Sequence, residues 1–115
     1  MAGFRIFILV ANVSTGLLTA ALAVPLMRRK VGMNSLYGFR VRRTLANPTV
    51  WYEANAFAGR CLFRSGVATS LACLALYFVP IIGPVSYAFA CLVITLSGVA
   101  VGIILSFRFV TRLNP

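Results

Sequence analysis

The chain has 115 residues, 61% of them apolar, with eleven Lys or Arg against one acid, Glu53, and no Asp or His. Charged residues make up 10%, against about a quarter in ordinary soluble domains, so a soluble fold is excluded. The net charge of +10 would suit nucleic acid, but a groove binder needs a water-soluble scaffold, and a mean hydropathy of +0.96 excludes one. The length allows a single domain spanning residues 1–115.

In chain order, the first element is an uncharged run from Ile6 to Leu26. About 20 apolar residues cross the hydrocarbon core as a helix, so a transmembrane span is predicted over residues 4–27. Ala21-Leu22-Ala23 resembles a signal-peptidase site. Cleavage there would need an apolar region longer than the usual ~7–15 residues and would leave Arg28, Arg29 and Lys30 outside, so the run is read as a retained span. Asn12 shares a face with Thr15, Gly16 and Thr19. An amide in the bilayer needs a partner, which turns that stripe toward protein.

Residues 28–59 are too polar to span and form a predicted cytoplasmic segment. Within it Asn47-Pro48 reads as a helix start, Asn capping the free amides and Pro losing nothing at the first position. Trp51, Asn55 and Gly59 then recur every four residues on one face. That face leads into the next span if the helix continues. Glu53 reads as a structural ion-pair partner for Arg40, Arg42 or Arg43.

A second uncharged run, Ser65 to Phe107, is interrupted by Pro80-Ile81-Ile82-Gly83-Pro84. Pro cannot continue the preceding ladder and Gly83 tolerates a tight turn. Spans are therefore predicted over 60–80 and 84–107, making an all-α integral membrane protein with three transmembrane helices. Arg28, Arg29, Lys30, Arg40, Arg42, Arg43, Arg60, Arg64, Arg108 and Arg112 fall on one side of this arrangement and only Arg5 on the other. The positive-inside rule puts the N-terminus outside and the C-terminus in the cytoplasm, a multi-pass topology.

Small residues recur at intervals of four: Gly98, Gly102 and Ser106 in the last span, and Gly66 and Ser70 in the one before. Such stripes let helix backbones approach closely. They serve either packing within the chain or a homo-oligomer through the Gly98/Gly102 or Gly66/Ser70 faces. Cys61, Cys73 and Cys91, odd in number and dispersed, read as small packing residues.

Asn34-Ser35-Leu36-Tyr37-Gly38-Phe39-Arg40, then Thr44, Trp51-Tyr52-Glu53-Ala54-Asn55 and Gly59-Arg60, resemble the signature of the SdpI family of bacterial membrane proteins. Gly32-Met33 stands where many members have Pro before the Asn, and the founding member is a longer, six-span protein whose C-terminal half this chain would match. The resemblance implies a three-span domain. It also implies protection against a membrane-active peptide toxin and, for the founding member, signalling by holding a cytoplasmic repressor.

The candidate ligand or partner site is Asn34, Tyr37, Gly38, Arg40, Thr44, Trp51, Glu53, Asn55 and Gly59. Gly38 suggests a tight turn, Arg40 a phosphate or carboxylate contact, and Asn55 a hydrogen bond toward the turn. These residues either bind a ligand or hold the loop against the bundle.

Other chemistries are disfavoured by what the chain lacks. Without His or Asp, only Glu53 or Lys30 could activate a Ser or Cys nucleophile, so an enzyme is not expected. Three dispersed cysteines make no metal site, and no cofactor is expected. Proton-coupled export would place an acid within a span, and none is there. The alternative is a small scaffold or transport-associated subunit whose basic segment holds anionic lipid headgroups, each cation contributing about 1 kcal/mol. Direct nucleic-acid binding is not expected.

Overall fold

The computed structural model describes residues 2–34 and 37–112, apart from the side chains of Ala2 and Arg43. Four helices follow one another: α1 (Ala2–Met27), α2 (Arg42–Ala46), α3 (Pro48–Tyr77) and α4 (Pro84–Arg112). The bundle is 52 Å long and 22 by 19 Å across, longer than the ~30 Å hydrocarbon core of a bilayer.

Each helix boundary has a local cause. At the end of α1, Lys30 N–H donates to the Pro25 carbonyl (3.0 Å) and Arg29 N–H to that of Leu26 (3.2 Å). Those are the two bonds of a Schellman ending, whose C′ residue is left-handed and usually Gly. Here Arg29 occupies it, at φ 59°. α3 starts where Asn47 Oδ1 accepts from Thr49 N–H (2.8 Å) and Val50 N–H (3.4 Å), with Pro48 in the first turn. It ends before Pro80, and α4 begins on Pro84 with Tyr87 N–H bonded to the Gly83 carbonyl (2.9 Å).

The helix predicted over 60–80 is thus the C-terminal part of a longer one. It begins at Pro48, inside the segment taken as the cytoplasmic loop, because the Asn47 cap starts a helix that nothing interrupts before Tyr77. It stops there rather than at 80, where the Phe78 and Val79 amides turn back to Ala75 and Leu76. α4 continues past 107 to Arg112, since no Gly or Pro follows Phe107 in the helix.

α1 and α4 both pack on α3 and barely meet each other. The α1–α3 seam is backbone against backbone. A Cβ on Gly16 would come 2.5 Å from the Gly66 carbonyl, and one on Gly59 would come 3.0 Å from Met27 N and 3.1 Å from the Ala23 carbonyl. Ser70 Oγ donates across the seam to the Val13 carbonyl (3.2 Å). On the other side of α3, Gly98 lies against Ser65 and Gly102 against Cys61. Both small-residue stripes therefore serve contacts within the chain.

The exterior is apolar: Phe7, Leu18, Phe89, Val93 and Ile104 are each more than half exposed. The largest fully buried side chains include Asn55, Thr44, Tyr87, Cys73 and Cys91 rather than Leu, Ile or Phe. Polar and small groups inside with large apolar groups outside is the arrangement expected where lipid is the solvent. α1 from Gly3 and α4 throughout are long and apolar enough to cross a membrane. α3 is long enough, but Arg60, Arg64 and its hydroxyl residues make it the most polar of the three.

Candidate functional site

The site is built where the loop after α1 folds back over the first turns of α3. Asn34 organises the entry: its Oδ1 accepts from Tyr37 N–H (2.6 Å), and its Nδ2 donates to the carbonyls of Gly32 (2.8 Å) and Tyr37 (2.9 Å). The Tyr37 hydroxyl donates to the Leu22 carbonyl of α1. Gly38 has φ 120°, a left-handed conformation that strongly favours glycine. A Cβ there would sit 2.7 Å from Asn55 Oδ1 and 3.1 Å from Trp51 Cη2. The turn lies directly on the α3 face carrying the signature.

Asn55, 2% exposed, holds the turn as one peptide group holds another. Its Oδ1 accepts from Phe39 N–H (2.5 Å), and its Nδ2 donates to the carbonyls of Phe39 (3.3 Å) and Trp51 (3.0 Å). The Phe39 carbonyl is also met by the hydroxyl of fully buried Thr44 (2.9 Å), whose Oγ1 accepts from Val41 N–H (2.9 Å). Trp51, wholly buried, donates from Nε1 to the Val31 carbonyl (2.8 Å). Gly59, one turn further, lets α1 close on the same face. Irregular backbone that would otherwise leave amides unpaired is satisfied by signature side chains.

Phe39, the unspecified position of the Tyr-Gly-x-Arg turn, is the residue that sequence reasoning missed. Its ring reaches the cleft between the helices and meets Phe107 of α4 edge-on, with centroids 5.2 Å apart. On one side a cavity of about 290 Å³ is lined by Leu22, Leu26, Tyr37 and Leu62; on the other, one of about 100 Å³ is lined by Cys61, Gly102, Ile103 and Ser106. An aromatic directly after the turn glycine is the signal that could have found it. Arg40 follows, exposed on the surface.

Glu53 stands apart from this cluster. Its Oε1 accepts from Arg29 Nη1, not from Arg40 or Arg42. Arg43 was the third predicted partner, and its side chain lies outside the described residues. The left-handed turn at Arg29 brings its side chain onto α3 at Glu53, two residues before Asn55 and off the face that carries the signature. That bond, more than the nearby charge, holds the Glu53 carboxyl below its ordinary range and the Arg29 guanidinium above its own.

At the opposite end of the bundle, Arg5 donates to the carbonyls of Tyr77 (2.6 Å) and Ile82 (3.2 Å) and lies over the rings of Tyr77 and Tyr87. It ties the start of α1 to the α3–α4 turn. Among the described residues no group of His, Cys, Asp or Glu could hold a metal ion.

Fold and site together define a helical membrane protein whose polar loop is latched to the head of its central helix. Residues 30–107 match the SdpI/YfhL protein family, well over half of the chain, and the protein belongs to that family. No curated protein and no solved structure matches it. Membership supports a membrane immunity-type role in general.

Proposed function

We propose that the protein gives protection against a membrane-active peptide toxin, meeting the toxin within the bilayer and a regulator at the cytoplasmic face. The observation that carries this reading is the family match across the latched loop and the two helices that follow it. The geometry supports a division of labour. Asn34, Thr44, Trp51 and Asn55 hold backbone, and Arg40 lies exposed at the end of the turn. The three-span topology with the N-terminus outside belongs to the same proposal. The cation-bearing ends of all three long helices lie together, joined by the Phe39–Phe107 and Phe57–Phe109 contacts, and Arg5 lies at the other end.

The experiment is expression in a toxin-sensitive bacterium challenged with membrane-active peptides. Protection is expected from the wild type, and Arg40→Ala should lose it while reaching the same level in the membrane. No gain in survival with any such peptide, despite inserted protein, would overturn the immunity reading.

A further inference from the structure

On the face of α3 away from α1, a groove of about 400 Å³ runs between α3 and α4, lined by Arg64, Ser65, Ala68, Gly98, Val101 and Leu105 among others. The glycines set the register, Gly98 against Ser65 and Gly102 against Cys61, so Arg64 is level with the stretch of α4 between 98 and 102. α4 carries no charge from Pro84 to Phe107. Its first cation, Arg108, lies six residues beyond Gly102, about 9 Å along the axis. Arg64 is thus a guanidinium set well into the apolar length of its neighbour.

Two observations and one physical requirement leave that cation with no acidic side chain of the protein to pair with. The only acidic side chain of the protein, Glu53, is committed to Arg29. Arg60 stands four residues before Arg64 on the same ridge, and like charges at that spacing repel. Within hydrocarbon a charge requires a partner or a path to the headgroups.

We propose that this groove seats one anionic phospholipid, its phosphate paired with Arg64 and an acyl chain lying along Ala68, Gly98 and Val101. The chemistry suits the walls: small side chains leave room for a flexible chain, and guanidinium pairs with phosphate through two parallel bonds. A second copy of the protein is the poorer occupant, because a two-fold interface on this face would set Arg64 near its own counterpart with no carboxylate between them. The proposal rests on the three-span topology proposed above and not on toxin protection.

The test is lipid retention by the full-length protein in mild detergent, titrated with phosphatidylglycerol or with phosphatidylcholine of the same chains and read by native mass spectrometry. The first phosphatidylglycerol should bind about tenfold more tightly than phosphatidylcholine, whose choline cation offsets the phosphate charge that faces Arg64. Arg64→Gln should abolish that preference, and Ala68→Leu, which fills the groove, should weaken both lipids. Arg42→Gln, on α2 outside the groove, should leave the first site unchanged. Equal binding of the two lipids by the wild type, or undiminished preference in Arg64→Gln, would overturn the proposal. If Arg64→Gln does not fold, undiminished binding by Ala68→Leu would do so. Cys61 lines the groove while Cys73 and Cys91 are buried, so Cys61-linked dimers on mild oxidation in membranes would assign the groove to a second copy instead.

Discussion

Gly38 and Asn55 are directly coupled, since the glycine's missing side chain is the space the amide uses. Gly38→Ala combines a φ of 120° with a collision against Asn55 Oδ1, and strain of this kind costs about 1–3 kcal/mol. Asn55→Ala strips partners from the Phe39 amide and carbonyl, at about 1–3 kcal/mol for buried groups left unsatisfied. Both variants should unfold earlier in a denaturing-detergent titration, and their double mutant should cost less than the sum, because the two losses concern one contact. Full additivity would show that they act separately. Trp51→Phe loses the bond to Val31 and part of the bicyclic ring from a wholly buried site, so it should cost about 1–3 kcal/mol, against about 3–5 for Trp51→Ala.

Between elements, the α1–α3 seam depends on glycine facing glycine. Gly66→Ala would drive a methyl into the Gly16 carbonyl and to within 3.1 Å of Ala20 N, both backbone, so the helices must separate. A loss of about 1–3 kcal/mol is expected, measured as a lower detergent midpoint; an unchanged midpoint would mean that the seam is looser than its geometry implies. The Arg29–Glu53 tie across the same two helices responds to pH. The carboxyl titrates below its ordinary range, so the pair stabilises the fold above that range and its contribution fades as pH falls through the depressed value. With both side chains nearly half exposed, the effect is small. Arg29→Gly should preserve the helix ending, since Gly suits the left-handed position, while flattening the acid limb of a stability profile; an unaltered limb would show that the pair contributes nothing.

At this scale the helices were readable from runs of uncharged residues and from Pro and Asn signals, and the Trp51-Asn55-Gly59 face from its spacing of four. What the linear chain concealed was pairing. Glu53 found Arg29 because a left-handed residue redirected the chain, and no periodicity announces that. The place of Phe39 between the helices was not readable, because a single aromatic in a loop carries no pattern until the helices it separates are in place.

Among the described residues charge is sorted along the bundle: the Arg5 end is tied by carbonyls and rings, and the other cations lie toward the opposite end, Arg64 deepest among them. If that sorting sets orientation, a cysteine at Gly3 should react with a membrane-impermeant maleimide in intact cells and one at Thr111 only after lysis, in a Cys61→Ala background. The reverse pattern would refute the orientation. The central position of α3 also imposes an order on biogenesis. Synthesis proceeds at about 5–20 residues per second, so the α1 surface around Gly16 waits several seconds for Gly66 to emerge. During that interval the newborn helix exposes Asn12 and the backbone around Gly16 with no neighbour to pack on them. Until α3 arrives it is a natural client for whatever insertion machinery shields polar faces of solitary helices, and α4, which hardly touches it, cannot shorten that wait.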